Sequence, residues 1–359
     1  MTAPLPIAVV GCGLIGLRHA QVATKLDRVD LTAVVEPDAA LRARLAGEGY
    51  PVVASLDDVP ARTRAAIIAT PTPAHAESGL AAIDRGWAVL VEKPLAANLA
   101  QADALIEASE RCGVPLVTAH HRRCHPFVQA TAERLAELGT PVAVQGIWSL
   151  RKHDAYYEPD WRRAPGSGPL MTNLSHEIDL MRVFLGEIAE VSALSSNATR
   201  GLAIEDTSAV SLRFESGVLG SFLISDAGAS PWSFEAASGE NPGIATSGQD
   251  YMRFVGTKGA MSFPSLDLWQ AADGQEPVWQ NPMARHAGTK FAKVDPLEIQ
   301  MALFEQVADG RDPWILASGK GGRATLEATL AAVLSAKTGR PVPRGSVPLE
   351  FDGVMETAA

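Results

Sequence analysis

Cysteine is scarce in this chain: three in 359 residues, at Cys12, Cys112 and Cys124. So few thiols, so far apart, cannot form a disulfide framework, which excludes the small stapled secreted folds and suits a reducing compartment. Long apolar runs are missing too. No stretch approaches the roughly 20 uninterrupted apolar residues that a bilayer span needs, so no membrane partner is expected. The apolar start "LPIAVVGCGLIG" has no basic residue ahead of it and does not read as a secretory signal. The cytoplasm is therefore the expected location, and the sequons at Asn173 and Asn197 are expected to be irrelevant. Positive charge is in deficit, with 31 Lys and Arg against 41 Asp and Glu and a formal net charge of -10. That sign argues against a nucleic-acid partner. A protein that handles small molecules is left, and its length points to two domains.

What is present begins with alternation. Up to about residue 120, apolar β-type runs ("PIAVV", "LTAVV", "AAIIAT", "WAVLVE", "VPLVTA") alternate with amphipathic Ala/Leu-rich stretches. One of these, "NLAQADALIEASERCG", has Asn98 as an N-cap and Gly113 as a C-cap. Continuous apolar strands between helices imply a parallel sheet covered on both faces, the doubly wound α/β class. Beyond about residue 125 the pattern changes to period-two alternation. "DTSAVSLRFESGVLGSFLIS" reads as two antiparallel strands around Glu215-Ser216-Gly217, and "YMRFVGTKGAMSF" as a hairpin with Gly256–Gly259 at its tip. Helices "PLEIQMALFEQVADG" and "RATLEATLAAVLSAKTG" follow, and 226–248 reads as a long loop. The expected division is a Rossmann domain over 1–122 and an α+β domain with an open, mostly antiparallel sheet over 123–359.

Chemistry enters with "GCGLIG". Gly11, Gly13 and Gly16 directly follow the first strand and open a helix, as a pyrophosphate cradle requires: a tight turn, a close backbone approach, and close helix–strand packing. Leu14 and Ile15 then supply backbone N–H groups at the helix start. Glu36 ends the second strand 20 residues after Gly16, where a carboxylate can accept hydrogen bonds from the adenosine ribose. That carboxylate would repel a 2′-phosphate and no Arg follows at once, so NAD is expected over NADP. Thr70, Pro71 and His75 in "TPTPAH" close the next strand and are expected to contact the cofactor, as is Glu92. Lys93 in "VEKP" stands at the carboxyl end of a strand, where ligands bind in such sheets. Pro94 confines Lys93 to extended backbone. Read as a functional group, Lys93 stabilises an alkoxide before hydride loss; read blandly, it is a solvated loop lysine.

A fingerprint followed by "ATPTPAH", "VLVEKPLA", "HHRRCHP", "WRR…GSGPL", "HEID" and "SAKTGRPV" resembles the Gfo/Idh/MocA family over essentially the whole chain. The resemblance implies an N-terminal Rossmann domain, a C-terminal domain whose open sheet often mediates homo-oligomerisation, and NAD(P)-dependent oxidation or reduction of a sugar or polyol hydroxyl. It also implies catalytic roles for Lys93 and for His176 as proton acceptor. "SHEIDLMRVFLGE" reads as a helix whose first turn carries His176, with Ser175 or Asn173 as cap and Glu177 and Asp179 suited to the positive end of the dipole. A helix N-terminus disfavours a cationic imidazole, which suits a general base. The chain departs from the family where inositol-dehydrogenase-like members place an Asp four residues before the His: here stands Thr172, then Asn173. Either can orient a substrate hydroxyl, and Asp179 can position substrate or cap the helix.

Other candidates stay open. His121 and Arg122 are expected to line the cofactor cleft, with Arg123 solvated. A metal at "HHRRCH" or at His176 and Asp179 lacks a further ligand of suitable spacing. Arg151, Lys152, Arg162 and Arg163 either recognise a carboxylate or sulfonate or are rim charges, and Trp161 offers an apolar wall to a sugar. The expected function is an NAD-dependent dehydrogenase for a sugar, sugar acid or cyclic polyol. Two alternatives are an NAD-retaining enzyme that cleaves glycosides by transient oxidation and a non-catalytic NAD-binding regulator.

Overall fold

The computed structural model describes residues 3–241 and 243–354 and divides into two compact units. The first contains the chain up to Cys124 together with Asp295–Leu326; the second contains His125–Val294 and the chain from Glu327 on.

The first run of the chain is β1 (Leu5–Val10), α1 (Leu14–Ala23), β2 (Val29–Val35), α2 (Ala39–Gly47), β3 (Val52–Val53), β4 (Ala65–Ile68), α3 (His75–Ile83), β5 (Ala88–Glu92), α4 (Leu99–Cys112) and β6 (Leu116–Ala119). Strands β4, β5 and β6 are buried at every position, as strands covered on both faces must be. The α4 boundaries are those expected from the sequence. Asn98 Oδ1 accepts from Gln101 N at 3.0 Å, and Gly113 takes the left-handed conformation at φ 65°.

The second run is α5 (Pro126–Arg134), β7 (Pro141–Ser149), α6 (Ser175–Leu185), β8 (Ile188–Ser196), β9 (Thr207–Phe214), β10 (Leu219–Ser225), α7 (Phe234–Ser238), β11 (Met252–Gly256), β12 (Gly259–Phe263), β13 (Leu268–Ala271) and β14 (Met283–His286). Both expected hairpins form, β9–β10 and β11–β12. The stretch expected to be one long loop carries α7, capped by Ser233 onto Ala236 N. The chain ends in α8 (Pro296–Ala308), β15 (Ala317–Ser318), α9 (Gly319–Thr338) and β16 (Val342–Pro343).

Two sheets result. The first has the order β15-β6-β5-β4-β1-β2-β3, parallel except for β15. Its strand order reverses between β1 and β4, and ligands bind such sheets at the carboxyl ends of the strands beside that reversal. The second sheet, β14-β13-β12-β11-β7-β10-β9-β8-β16, is antiparallel apart from the β7–β10 pair. Its strands alternate buried and exposed, as in β9 and β10. The exposed side carries Leu194, Leu219, Leu223 and Val255.

The chain passes between the two units at Cys124–His125, at Val294–Asp295 and at Leu326–Glu327. Residues 295–326 belong with the first unit because α8 turns Leu297, Met301 and Phe304 into the core formed by Ile7, Val9, Val34, Ile67 and Leu90. Among the described residues, no helix is long and apolar enough to cross a membrane.

Candidate active site

The cradle is made of backbone. Gly11 follows β1 at φ 86°, and a Cβ there would lie 2.8 Å from Ala69 O and Thr70 N. A Cβ on Gly16 would lie 2.0 Å from Gly11 O, so α1 reaches this close to the turn only because residue 16 is glycine. Gly13, the N-cap of α1, has the opposite surroundings: a Cβ would meet nothing within 4 Å, and no side chain caps the helix. The first-turn N–H groups therefore face open space with the helix dipole behind them, an anion site. Leu14 stands 83% exposed at the same end. Across the sheet reversal, Thr70 Oγ1 is buried with no hydrogen-bond partner among the described residues. A dinucleotide fits this place: backbone donors, room above Gly13, and an unsatisfied hydroxyl beside it.

Glu36 directly follows β2, and both of its carboxylate oxygens are anchored. One carboxylate oxygen accepts from Cys12 N at 3.1 Å and the other from Asp38 N at 3.0 Å. Arg42, the nearest guanidinium in sequence, is occupied by the carbonyls of Glu36 and Pro37.

At the carboxyl end of β5 the structure adds a residue that the sequence reading passed over. His19, on the inner face of α1, places Nε2 2.7 Å from Glu92 Oε1, and both side chains are buried. The other Glu92 oxygen accepts from Lys93 N at 3.1 Å. Burial alone would raise the Glu92 pKa. The hydrogen bond and charge of His19, with the charges of His121 and Lys93, outweigh it and bring the carboxyl down to about 2. Glu92 is thus a fixed negative charge under Lys93, and what it holds is the lysine backbone. A helix-borne histidine facing the sheet three residues after the last fingerprint glycine was the available signal.

His75 lies 2% exposed, with Nδ1 2.8 Å from Pro94 O and Nε2 2.8 Å from Thr70 O. Burial lowers its pKa, and a neutral ring can donate to only one of the two carbonyls. It clamps the Thr70 turn to the Lys93–Pro94 segment. Pro71 is exposed at the start of the following turn. His121 and Arg122 sit in the 3-10 turn His121–Cys124, which packs against α8. Arg123, expected in solvent, is 8% exposed because the same turn lies against that helix.

In the second unit the opening of the His176 helix differs from expectation. A π-turn, Leu170–Leu174, runs directly into α6, so the backbone is helical five residues before Ser175. Neither Asn173 nor Ser175 caps the helix, and the positive end of the helical run lies at Pro169–Leu170, not at His176. His176 therefore does not stand at the positive end of a helix dipole. Glu177 is not a surface end-charge: it is fully buried and accepts from Tyr251 Oη at 3.0 Å. Asp179 is 1% exposed and His176 6%. Thr172, Asn173, His176 and Asp179 follow helical spacing of three and four, which gathers them on one side of the run.

The four basic residues considered together from sequence separate here. Arg151 pairs with Asp154 at 3.7 Å and Arg163 with Asp160, all four on the exposed rim. Lys152 and Arg162 turn inward: Lys152 Nζ and the Arg162 guanidinium pack on the Tyr156 ring at 4.9 and 4.1 Å. Trp161 stays 65% exposed, with Arg162 4.9 Å from its ring. Asp226, far along the chain, collects Lys152, Arg200 and the Tyr157 hydroxyl. Burial and the Asp226 carboxylate push the Tyr157 phenol up from its ordinary value. Tyr157 and Arg200 also line a cavity of about 540 Å³. Among the described residues no group of three or more His, Cys, Asp or Glu is arranged to hold a metal ion.

A glycine cradle at a sheet reversal, a carboxylate at the end of β2 and an open antiparallel sheet in a second unit define an NAD-dependent oxidoreductase of two domains. Residues 5–120 match an oxidoreductase family with an NAD-binding Rossmann fold, and residues 128–262 match the GFO/IDH/MocA C-terminal domain. A D-apiose dehydrogenase of Paraburkholderia graminis is 26% identical over 98% of this chain and 93% of its own. A myo-inositol dehydrogenase of Streptomyces leeuwenhoekii is 32% identical over 60% of this chain and 68% of its own. Among solved structures, an oxidoreductase of Desulfitobacterium hafniense superposes with a TM-score of 0.80 at 19% identity, covering 97% of this chain and 99% of that one. The chain belongs to the Gfo/Idh/MocA family.

Proposed function

We propose that the protein oxidises a secondary hydroxyl of a sugar, sugar acid or cyclic polyol, with NAD as the hydride acceptor. The observation that carries the reading is the buried His19–Glu92 pair, which holds Lys93 at the carboxyl end of β5. Gly11, Gly13, Gly16, the first-turn N–H groups of Leu14 and Ile15, Glu36 and Thr70 would hold the dinucleotide, whose nicotinamide takes up hydride when bound. Lys93 Nζ donates to the substrate oxygen as negative charge builds on it, and His176 accepts the hydroxyl proton. Thr172 Oγ1 reaches Gly168 O at 3.0 Å and Asn173 Oδ1 at 2.9 Å, so it serves as a donor and supplies no charge to the proton transfer. Glu36, with both oxygens anchored, favours NAD over NADP by repelling a 2′-phosphate.

The test is NADH formation across a panel of polyols, aldoses and sugar acids. Lys93→Met and His176→Ala are each expected to lower kcat by about 10²-fold or more. Wild-type turnover in either variant would remove that residue from the chemistry. Bound NAD with no turnover anywhere in the panel would point instead to the regulator. Replacing Glu36 with Ser is expected to relax the preference for NAD, and an unchanged NAD/NADP ratio would sink the ribose argument. Self-association is proposed through the exposed side of the second sheet, where Leu223, Ala209 and Leu194 stand in register across three strands. Leu223→Lys should then reduce the mass measured by light scattering.

A further inference from the structure

Lys152 lies three residues beyond β7, and its side chain is 14% exposed. Its Nζ is 3.1 Å from Asn173 Oδ1 and 3.3 Å from Asp226 Oδ2. Thr172 Oγ1 lies 2.9 Å from the same Asn173 oxygen. An ammonium can only donate, so the atom that faces it is the amide oxygen. Asn173 Nδ2 is thereby left to present N–H groups. Because Asn173 precedes His176 by three residues of one helical run, these donors share the side of the run that carries His176.

Cations gather at this place. Asp226, 1% exposed, faces two cations, Lys152 and Arg200, the latter through Nη1 at 2.6 Å. Arg162 adds a third on the Tyr156 ring. Asp206 is the other carboxylate of the cluster, and the backbone N–H groups of Thr199 and Arg200 and the Thr207 hydroxyl already occupy it. Glu205 is pushed toward its neutral form by burial, against the Leu170 N–H that it accepts. Lys152 and Arg200 thus share the one Asp226 carboxylate, and Thr172 adds no charge to it.

We propose that the substrate oxidised at this site carries a carboxylate, bound by Lys152 Nζ and Asn173 Nδ2, so that the enzyme acts on a sugar acid in preference to a neutral sugar or polyol. The proposal rests on the dehydrogenase reading above and names the substrate class within it. Two of the three Lys152 N–H groups go to Asn173 and Asp226, and the third with Asn173 Nδ2 offers a pair of donors for the two oxygens of a carboxylate. Lys152 is a specificity residue here: it selects the substrate and takes no part in the proton or hydride transfer.

The experiment compares matched pairs with NAD: D-glucuronate with D-glucose, D-galacturonate with D-galactose, D-gluconate with D-glucitol, and D-galactonate with galactitol. At least one acid should exceed its neutral counterpart about tenfold or more in kcat/KM. Lys152→Met should raise KM for that acid about 10–100-fold with a smaller effect on kcat, bringing the acid-to-neutral ratio close to one. Thr172→Asp, which adds an acid beside Asn173, should lower the same ratio, and Lys152→Arg should restore part of it. A neutral substrate preferred by the wild type, or an acid-to-neutral ratio unmoved by Lys152→Met, overturns the proposal. If the wild type turns over none of the eight, calorimetric binding in the presence of NADH decides. An acid bound more tightly than its counterpart by the wild type, but not by Lys152→Met, supports the proposal, and equal binding within every pair overturns it. Full turnover in His176→Ala would sink the role of His176 while leaving the Lys152 ratio readable.

Discussion

The turn after β1 and the patch around Asp226 are built of different materials. Around Gly11, Gly13 and Gly16 the working groups are backbone N–H donors, set by six consecutive residues and the helix behind them. Around Asp226 the working groups are side chains from separated stretches: Lys152 and Tyr157, Asn173, Arg200 and Asp226 itself. A backbone cradle tolerates little at the glycines but has no buried charge to lose. A side-chain cluster carries buried charge and fails when one member is removed. The difference teaches where each half is vulnerable: steric in the first, electrostatic in the second.

Removing Asp226 breaks this contrast most directly. Asp226→Ala should cost about 3–5 kcal/mol, because Lys152 and Arg200 lose their shared acceptor in a buried place. Urea unfolding measures it, and a loss below about 1 kcal/mol would show that the cluster is solvated and the contrast false. In the first unit, His19–Glu92 is a comparable charge site. Glu92 titrates at about 2 when folded, below its ordinary 4.5. A depressed carboxylate contributes stability that is present above the ordinary value and is lost as pH falls toward 2; the gap corresponds to about 3 kcal/mol. His19→Leu should remove a similar amount at pH 7 and flatten the decline between pH 5 and 3. An acid limb identical to that of the wild type would count against the pair.

The steric side is tested by paired glycine changes. Gly16→Ala should destabilise by about 2 kcal/mol, since its Cβ would meet Gly11 O. Gly13→Ala, opening on empty space, should leave stability within about 0.5 kcal/mol and weaken NAD binding instead. Equal thermal shifts in the two variants would refute the close packing assigned to Gly16. Asn98→Ala should fall between these two, since it removes a cap worth about 1 kcal/mol, read by thermal unfolding.

How much could be read in advance follows the same division. The strands of the parallel sheet, the α4 caps at Asn98 and Gly113, and the turns at Gly217 and Gly256–Gly259 all depend on residues next to one another in sequence. Glu36 also stood where the spacing put it. The start of the His176 helix was misjudged because a π-turn depends on what packs around it, and no cap residue announces one. Glu177 reads as an end-charge in the sequence, but Tyr251, just ahead of β11, lies against it in the fold. Arg123 looked solvated until α8 was found beside its turn.

Local chemistry alone therefore settled the class of fold, the glycine turn after β1 and the position of Lys93 at the end of β5. Caps, turn glycines and hydrophobic period act over a few residues and leave a mark in the order of amino acids. Tertiary structure alone decided that residues 295–326 return to the first core, that His19 meets Glu92, and that Lys152, Arg200 and Tyr157 converge on Asp226. Those pairings satisfy buried charge, and a buried charge takes its partner from whatever the folded chain brings within reach, whatever the separation in sequence.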